Sequence, residues 1–274
     1  MIDSHVHFWK YHPVKEAWIT EKMKAIQADF LPDQLQLELM ENGIEGCVAV
    51  QADQSEQETE FLLSLATEYD FIKGVVGWID LRGENLPDRL AAFSKYKKLK
   101  GWRHIAQSEP DGFLLDPSFL RGIAELKNYR HTYDIVIVRN QLKEAISLVN
   151  KFPEQRFILD HIAKPDIKDN NGDIAWQEGI SLLAKHKNLY CKVSGMVTEA
   201  DWYNWKNEDM KFYLDTVFEN FSIDKLMFGS DWPVCTLAAS YRETKQVVED
   251  YISQLTVLQR KAIFESNAKE CYQL

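Results

Sequence analysis

Asp3-Ser4-His5-Val6-His7 and, near the far end of the chain, Leu226-Met227-Phe228-Gly229-Ser230-Asp231-Trp232-Pro233 decide the fold between them. Side chains on a strand alternate with a period of two, so His5 and His7 share one side of a first strand. Two imidazoles on one side can grip a metal ion or a carbonyl oxygen. The second stretch is a short apolar run that ends in a carboxylate. A first strand ending in paired histidines and a last strand ending in an aspartate imply a closed barrel with one polar mouth.

Outward from these two stretches, short runs rich in β-branched or aromatic residues predict eight strands, over 2–7, 46–51, 74–80, 99–105, 135–138, 157–161, 189–194 and 226–231. Helical spacing of apolar residues covers 31–42, which stops at Asn42-Gly43, and also 56–69, 118–129, 141–152, 179–186, 210–221 and 242–255. Alternating strands and helices give a parallel sheet. Eight strands fit a (β/α)8 TIM-type barrel better than an open sheet, and 274 residues suit a fold that takes about 250. No Pro/Gly/Ser-rich linker, repeat or low-complexity tract divides the chain, so 1–274 reads as a single domain. Insertions over 10–30 and 165–176 follow strand ends and belong over the mouth. The segment 258–274 reads as a closing helix with Ile263, Phe264 and Tyr272 as its apolar contacts.

A formal charge of −10 argues against nucleic acid and against an anionic membrane surface as partners, while leaving an anionic small molecule open. No run of about 18 apolar residues is present, so no transmembrane helix is expected. The start Met-Ile-Asp-Ser-His shows no basic segment followed by an apolar one, and no signal peptide is read there. Cys47, Cys191, Cys235 and Cys271 are far apart and form no CxxC pair, which fits buried thiols in a reduced, cytoplasmic protein. A homodimer is expected only because it is the commonest assembly of soluble enzymes.

Active sites of (β/α)8 barrels sit at the C-terminal ends of the strands. Taken in order, those ends deliver His5 and His7; Gln51; Trp78 and Asp80; Arg103 and His104, followed by Gln107; Arg139 and Asn140; Asp160 and His161, then Lys164; Lys192 and Ser194; Asp231 and Trp232. Barrel core layers call for Val, Ile and Leu, so this rim is hard to reconcile with a purely structural role. Asp80 reads best as a turn or helix cap. Arg103 is as readily a structural salt bridge to Asp80 or Glu109, and Lys192 as readily a surface residue. Alternation lets only one of Arg103 and His104 face the pocket. A register that turns Trp102 inward brings His104 with it and is favoured; the opposite register presents Arg103. Trp9, Trp18, Trp202, Trp205 and Trp232 lie near the loops, as lid packing or as a flat apolar floor for a ring.

Several of these motifs resemble one family. His5-Val6-His7, Leu159-Asp160-His161 with Ala163-Lys164-Pro165, and Phe228 to Pro233 are similar to the amidohydrolase superfamily, in its amidohydrolase-2 type, lactonase-like branch. Gly101-Trp102-Arg103-His104 with Gln107-Ser108-Glu109-Pro110, and Cys191-Lys192-Val193-Ser194-Gly195, resemble the same branch. The resemblance implies a hydrolase of sugar-acid lactones such as fuconolactone, rhamnonolactone or galactarolactone; a related member opens a pyrone dicarboxylate lactone. Other relatives are decarboxylases or amide hydrolases. It also implies that His5, His7, His161 and Asp231 are the central residues. Only one strand-end histidine follows the middle of the chain, so a two-metal site is not expected.

Lactone hydrolysis needs a deprotonated water, a polarised carbonyl and a protonated leaving alkoxide. Asp231 is the candidate general base. His5, His7 and His161 either hold one Zn²⁺ with Asp231 or donate hydrogen bonds directly to the oxyanion. Cofactor demand is therefore none or one divalent metal. Arg103, Arg139 and Lys164 are candidates for a substrate carboxylate or hydroxyls, Gln51 and Gln107 for hydroxyls, and His104 and Trp232 for the pocket wall. The alternative function on this fold is a metal-dependent decarboxylase of an unsaturated or aromatic acid.

Overall fold

A computed structural model describes residues 1–169 and 172–274; Asn170 and Asn171, within the expected 165–176 insertion, lie outside the described residues. Eight strands pair in parallel in chain order: β1 (Ile2–Val6), β2 (Gly46–Val50), β3 (Ile72–Gly77), β4 (Leu99–His104), β5 (Thr132–Ile135), β6 (Phe157–Leu159), β7 (Leu189–Val193) and β8 (Leu226–Phe228). The ring closes just past β8, where Val6 bridges Trp232, Asp231 N donates to His5 O at 2.9 Å and His7 N donates to Trp232 O at 2.7 Å. Gly229 permits that closure, because a Cβ there would lie 2.8 Å from His5 Cβ.

The outer layer is α1 (Pro32–Glu41), α2 (Glu56–Glu68), α3 (Leu86–Phe93), α4 (Pro117–Leu126), α5 (Leu142–Lys151), α6 (Ile174–Leu183), the single turn α7 (Met196–Glu199), α8 (Asn207–Asn220) and α9 (Tyr241–Tyr251). Local chemistry starts several of them. Ser55 Oγ accepts from Glu58 N, and Asp116 accepts from Ser118 N and Phe119 N ahead of a proline at the first helical position. In α5, Leu142, Ala145, Leu148 and Val149 recur at helical spacing and are buried against the sheet. Helix α3 was not among the segments read from sequence.

The C-terminal segment is α10 (Val257–Lys261), a π-turn (Ala262–Ser266) and α11 (Asn267–Tyr272). Ala268, Cys271 and Tyr272 pack with Ile2, Val48, Val50, Val76, Ile158 and Met227, so α11 plugs the barrel at the end away from the mouth. Above this apolar plug the interior turns charged, unlike the aliphatic layers usual in such barrels. Lys192, wholly buried, lies 2.7 Å from Asp134 Oδ2 and 2.9 Å from Asp160 Oδ1, and Tyr272 OH donates to Asp134 Oδ2 at 2.6 Å. Lys192 is therefore a barrel-core residue and not a surface one.

Two strands are displaced from the reading of their sequence: β3 ends at Gly77 and not at Asp80, and β5 moves further. β5 occupies Thr132–Ile135, pairing with 101–104 and 157–159, and not 135–138. An aspartate in mid-strand opposes strand formation by composition. Asp134 is tolerated because Lys192 pairs with its charge and Tyr272 donates a hydrogen bond to it inside the barrel. The 10–30 insertion folds over the mouth around a 3₁₀ turn (Glu21–Ile26). It is tied down by Trp9 and Phe30 backbone pairing, by Trp9 Nε1 donating to Ala28 O at 2.8 Å and by the Lys15–Glu58 ion pair at 2.8 Å.

Candidate active site

At the mouth, Asp231 Oδ1 is ringed by three imidazoles. His7 Nε2 is 3.3 Å away, His5 Nε2 3.7 Å and His161 Nε2 3.9 Å. The four groups come from three different constructions. His5 and His7 share the inward side of β1 and its extension, with their Nε2 atoms 3.1 Å apart. Asp231 follows β8 with φ 61°, a left-handed conformation that aspartate tolerates better than most residues.

His161 stands on a feature absent from the sequence reading. The backbone leaves β6 in a left-handed turn, with φ of 53°, 47°, 62° and 45° at His161, Ile162, Ala163 and Lys164. Such a conformation costs roughly 1–2 kcal/mol per non-glycine residue. The turn is offset by burial of Ile162 and by Trp176 Nε1, which donates to Ile162 O at 2.8 Å. Its effect is to bring both His161 and Lys164 to the cavity wall. Ser194 Oγ lies 2.9 Å from His161 Nδ1. Gly195 (φ +67°) makes room for the ring: a Cβ there would stand 2.6 Å from His161 Nδ1.

Electrostatics fix the protonation states. Burial opposes the charge of Asp231, but the surrounding imidazoles, His161 first, hold its carboxyl well below the usual carboxylate range. Burial pushes His161 down to about 4 and also lowers His7. Burial and then the Lys192 ammonium push His5 far below the ordinary histidine value. At neutral pH the centre is thus one carboxylate among three neutral imidazoles.

A cation fits this arrangement. His7 Nδ1 must donate to Val50 O, 2.7 Å away, because a carbonyl only accepts. His7 Nε2 is then a bare lone pair facing a carboxylate oxygen at 3.3 Å, two acceptors that a proton or a metal ion would reconcile. His5, His161 and Asp231 each offer a ligand atom, all within 4.8 Å of one another. Of the four expected ligands, His7 stands outside that trio. Two imidazole nitrogens and one carboxylate oxygen suit zinc chemistry.

Beneath the centre, Arg103 settles the register of β4. Its Nε and Nη2 donate to Gln51 Oε1 at 3.2 and 2.9 Å, Nη1 donates to Asp160 Oδ2 at 3.0 Å, and Nη1 lies 3.3 Å from His5 Nε2. His104 points away from the cavity. It accepts from Trp78 Nε1 at 3.1 Å, contacts Glu109 Oε1 at 2.8 Å and stacks on Phe113 with ring centroids 4.5 Å apart. The favoured register is therefore reversed, and Trp102 faces outward with His104, packing its indole on Phe93.

The cavity above these groups measures about 180 Å³ and is lined by His7, Arg103, His161, Lys164 and Asp231, by Gln54, Gln107 and Ser108, and by Trp18, Ala52, Ile105, Val136 and Val234. Four of the expected substrate residues do not line it. His104 is one. Arg139 is half exposed on the rim and pairs with Asp173 at 2.9 Å, because β5 ends earlier than its sequence implied and the chain has left the barrel by residue 139. Trp232 is buried against Phe8 and Phe30 beneath the 10–30 insertion. Gln51 is buried behind Arg103 and acts on it rather than on the cavity. Asp80 accepts from Arg82 N as a turn cap, and Cys235 is buried outside the lining. Sequence reasoning missed Asp134 and Gln54; the first was hidden by the displaced β5, the second lies beyond a strand end where spacing no longer fixes direction.

Comparison with known proteins places the chain. It matches the amidohydrolase family model over residues 2–274 and belongs to that family. It is similar to an L-fucono-1,5-lactonase of Burkholderia multivorans, 37% identical over 284 residues, spanning 100% of this chain and 96% of that protein. A second L-fucono-1,5-lactonase, from Burkholderia ambifaria, is 31% identical over 244 residues, covering 88% of this chain and 82% of the relative. A Burkholderia multivorans amidohydrolase crystal structure with bound zinc superposes with a TM-score of 0.95 at 38% identity, covering 100% of this chain and 99% of that one.

Proposed function

We propose that this member of the amidohydrolase family is a hydrolase that opens the lactone ring of a sugar acid, with an L-fucono- or L-rhamnonolactone-like aldonolactone as substrate. The observation that carries the reading is the ionised Asp231 carboxylate centred among His5, His7 and His161 at the floor of a small cavity, in a chain related over its length to an L-fucono-1,5-lactonase. Curated relatives also include an L-rhamnono-gamma-lactonase of Scheffersomyces stipitis, 25% identical over 204 residues.

Asp231 takes a proton from the attacking water as general base, since it is charged at neutral pH and faces the cavity. The water oxygen bonds to the lactone carbonyl carbon, the ring C–O bond breaks, and the same proton passes to the departing ring oxygen. Arg103, fixed by Gln51 and Asp160, presents positive charge to the cavity floor where the carbonyl oxygen becomes an anion. Lys164, 3.6 Å from Glu199, supplies a second cation at the wall for a substrate hydroxyl or carboxylate. His5, His161 and Asp231 would hold one divalent ion, zinc by preference, which when bound supplies Lewis-acid polarisation of the carbonyl and a more acidic water. All four cysteines are free and buried, which suits a reducing compartment, and the cytoplasm is the location proposed.

The test is a pH-indicator assay over a panel of aldonolactones and dicarboxylate lactones, run before and after chelation. Turnover of a sugar lactone is the expected result, and its response to chelation and added zinc decides whether the metal is required. No turnover of any lactone, together with carbon dioxide release from an aromatic acid, would move the assignment to a decarboxylase.

A further inference from the structure

The polar groups at the floor of the cavity are engaged within the protein. Asp231 is ringed by imidazoles, Arg103 is held by Gln51 and Asp160, and Gln54 Oε1 accepts from Ile105 N at 2.8 Å. Gln107 is different. Its Oε1 is buried, its side chain lines the cavity, and that oxygen has no hydrogen-bond partner among the described residues. Buried acceptors in native proteins are nearly always satisfied, so an unpartnered one at a cavity wall calls for a partner that comes from outside the chain.

The backbone that carries this side chain is fixed. Gln107 sits in the 3₁₀ turn Ala106–Ser108 immediately after β4, its N donates to Val136 O at 3.1 Å, and Ala106 O accepts from Gln141 Nε2 at 2.7 Å. Its lining neighbours Ile105 and Val136 are apolar and offer its Oε1 no side-chain donor. In a closed ring of eight strands β4 stands across from β8. Gln107 and Asp231 line one cavity, so a lactone whose carbonyl lies over Asp231 can extend the rest of its ring toward Gln107. Lactone carbonyl and ring oxygens only accept hydrogen bonds, whereas a ring hydroxyl donates and can pair with Oε1.

We propose that Gln107 is a specificity-determining residue that reads a ring hydroxyl of the substrate. This rests on the lactonase reading above. A site built to bond a hydroxyl discriminates strongly against the analogue that lacks it, because the protein group is then left unpaired.

The experiment compares kcat/KM for a polyhydroxylated aldono-1,5-lactone and for δ-valerolactone, the same ring without hydroxyls, in wild type, Gln107→Met and Gln107→Glu. Met keeps the volume and removes the amide; Glu keeps the acceptor oxygen. In Gln107→Met the ratio of the two kcat/KM values should fall about 10–100-fold, chiefly through KM for the hydroxylated lactone. Gln107→Glu should retain more of the ratio than Gln107→Met. Parallel loss on both lactones, or an unchanged ratio, overturns the proposal and leaves the lactonase reading standing. Wild-type turnover of δ-valerolactone with no preference for the hydroxylated ring does the same. Failure of wild type on every lactone overturns the reading and the proposal with it. Thermal unfolding by circular dichroism identifies a variant that has lost its fold, in which case the other variant's ratio decides.

Discussion

Across the cavity, the wall built on β1, β6 and β8 and the wall built on β4 and β5 differ in how their groups are held. The first carries His5, His7, His161 and Asp231, with 3.1–3.9 Å between the partners. It also carries five of the seven non-glycine residues with positive φ among the described residues. The second carries Ile105, Gln107, Ser108 and Val136 on backbone without positive φ, with an acceptor left free. Backbone strain is concentrated on the wall where bonds are proposed to be made and broken, while pairing extends to Arg103 on the facing wall. The facing wall keeps a low-strain backbone and an unfilled valence for recognition. Geometry on the first wall is over-determined, and chemistry on the second is left for the ligand to complete.

The largest expected effect breaks the first wall. Asp231→Asn removes the proposed general base while keeping the shape, and lactone turnover should fall about 10²–10⁴-fold with the thermal unfolding midpoint little changed. Turnover at the wild-type rate would show that the base lies elsewhere.

Next comes the charged layer on which both walls rest. Burial works against the charge on Lys192, but Asp134 and Asp160 outweigh it and raise its pKa, so it is an ammonium between two carboxylates. Lys192→Met leaves Asp134 buried with only the Tyr272 hydroxyl and Asp160 with only Arg103, and unfolding free energy by urea titration should drop about 3–5 kcal/mol. A loss under about 1 kcal/mol would mean that water reaches the layer and screens these charges.

A pH effect probes the base of the β4–β5 wall. His131 Nδ1 accepts from Trp102 Nε1 at 2.9 Å, and burial, followed by the Lys100 charge, lowers its pKa from 6.5 to about 4. Between those values the unfolded chain holds a proton that the folded chain does not. Stability therefore falls as pH drops through that window, by about 3 kcal/mol for this group. His161, also lowered to about 4, acts in the same direction. His131→Gln should flatten the difference in stability between pH 7 and pH 4 by that amount; curves parallel to wild type would count against a neutral buried His131.

The smallest effect concerns the rim. Arg139 is half exposed and paired with Asp173. Arg139→Ala should change stability by less than about 1 kcal/mol and kcat/KM by no more than about two-fold. A ten-fold rise in KM would return Arg139 to the recognition wall.

These contrasts track how much was legible in the chain. His5 and His7 could be placed together because β alternation ties residues two apart, and Asp231 because Leu226-Met227-Phe228 leads straight to it. The β4–β5 wall was less readable. Trp102-Arg103-His104 supports either register as well as the other, since each inward candidate is polar and titratable. What selects Arg103 is Asp160 and Gln51, each more than fifty positions away in the chain. Thr132-Tyr133-Asp134-Ile135 hid its strand behind an aspartate whose partner, Lys192, lies on β7.

The sequence by itself determined the eight-fold alternation, the parallel sheet, the polar mouth and three of its imidazoles, because these follow from local periodicity and from residue types that a barrel core otherwise excludes. Only the tertiary structure decided the inward face of β4, the buried charge layer, the left-handed turn that delivers His161 and Lys164, and the free amide of Gln107. Each of those depends on the energy of a group with a partner, or without one, from a distant strand, and no local pattern encodes that energy.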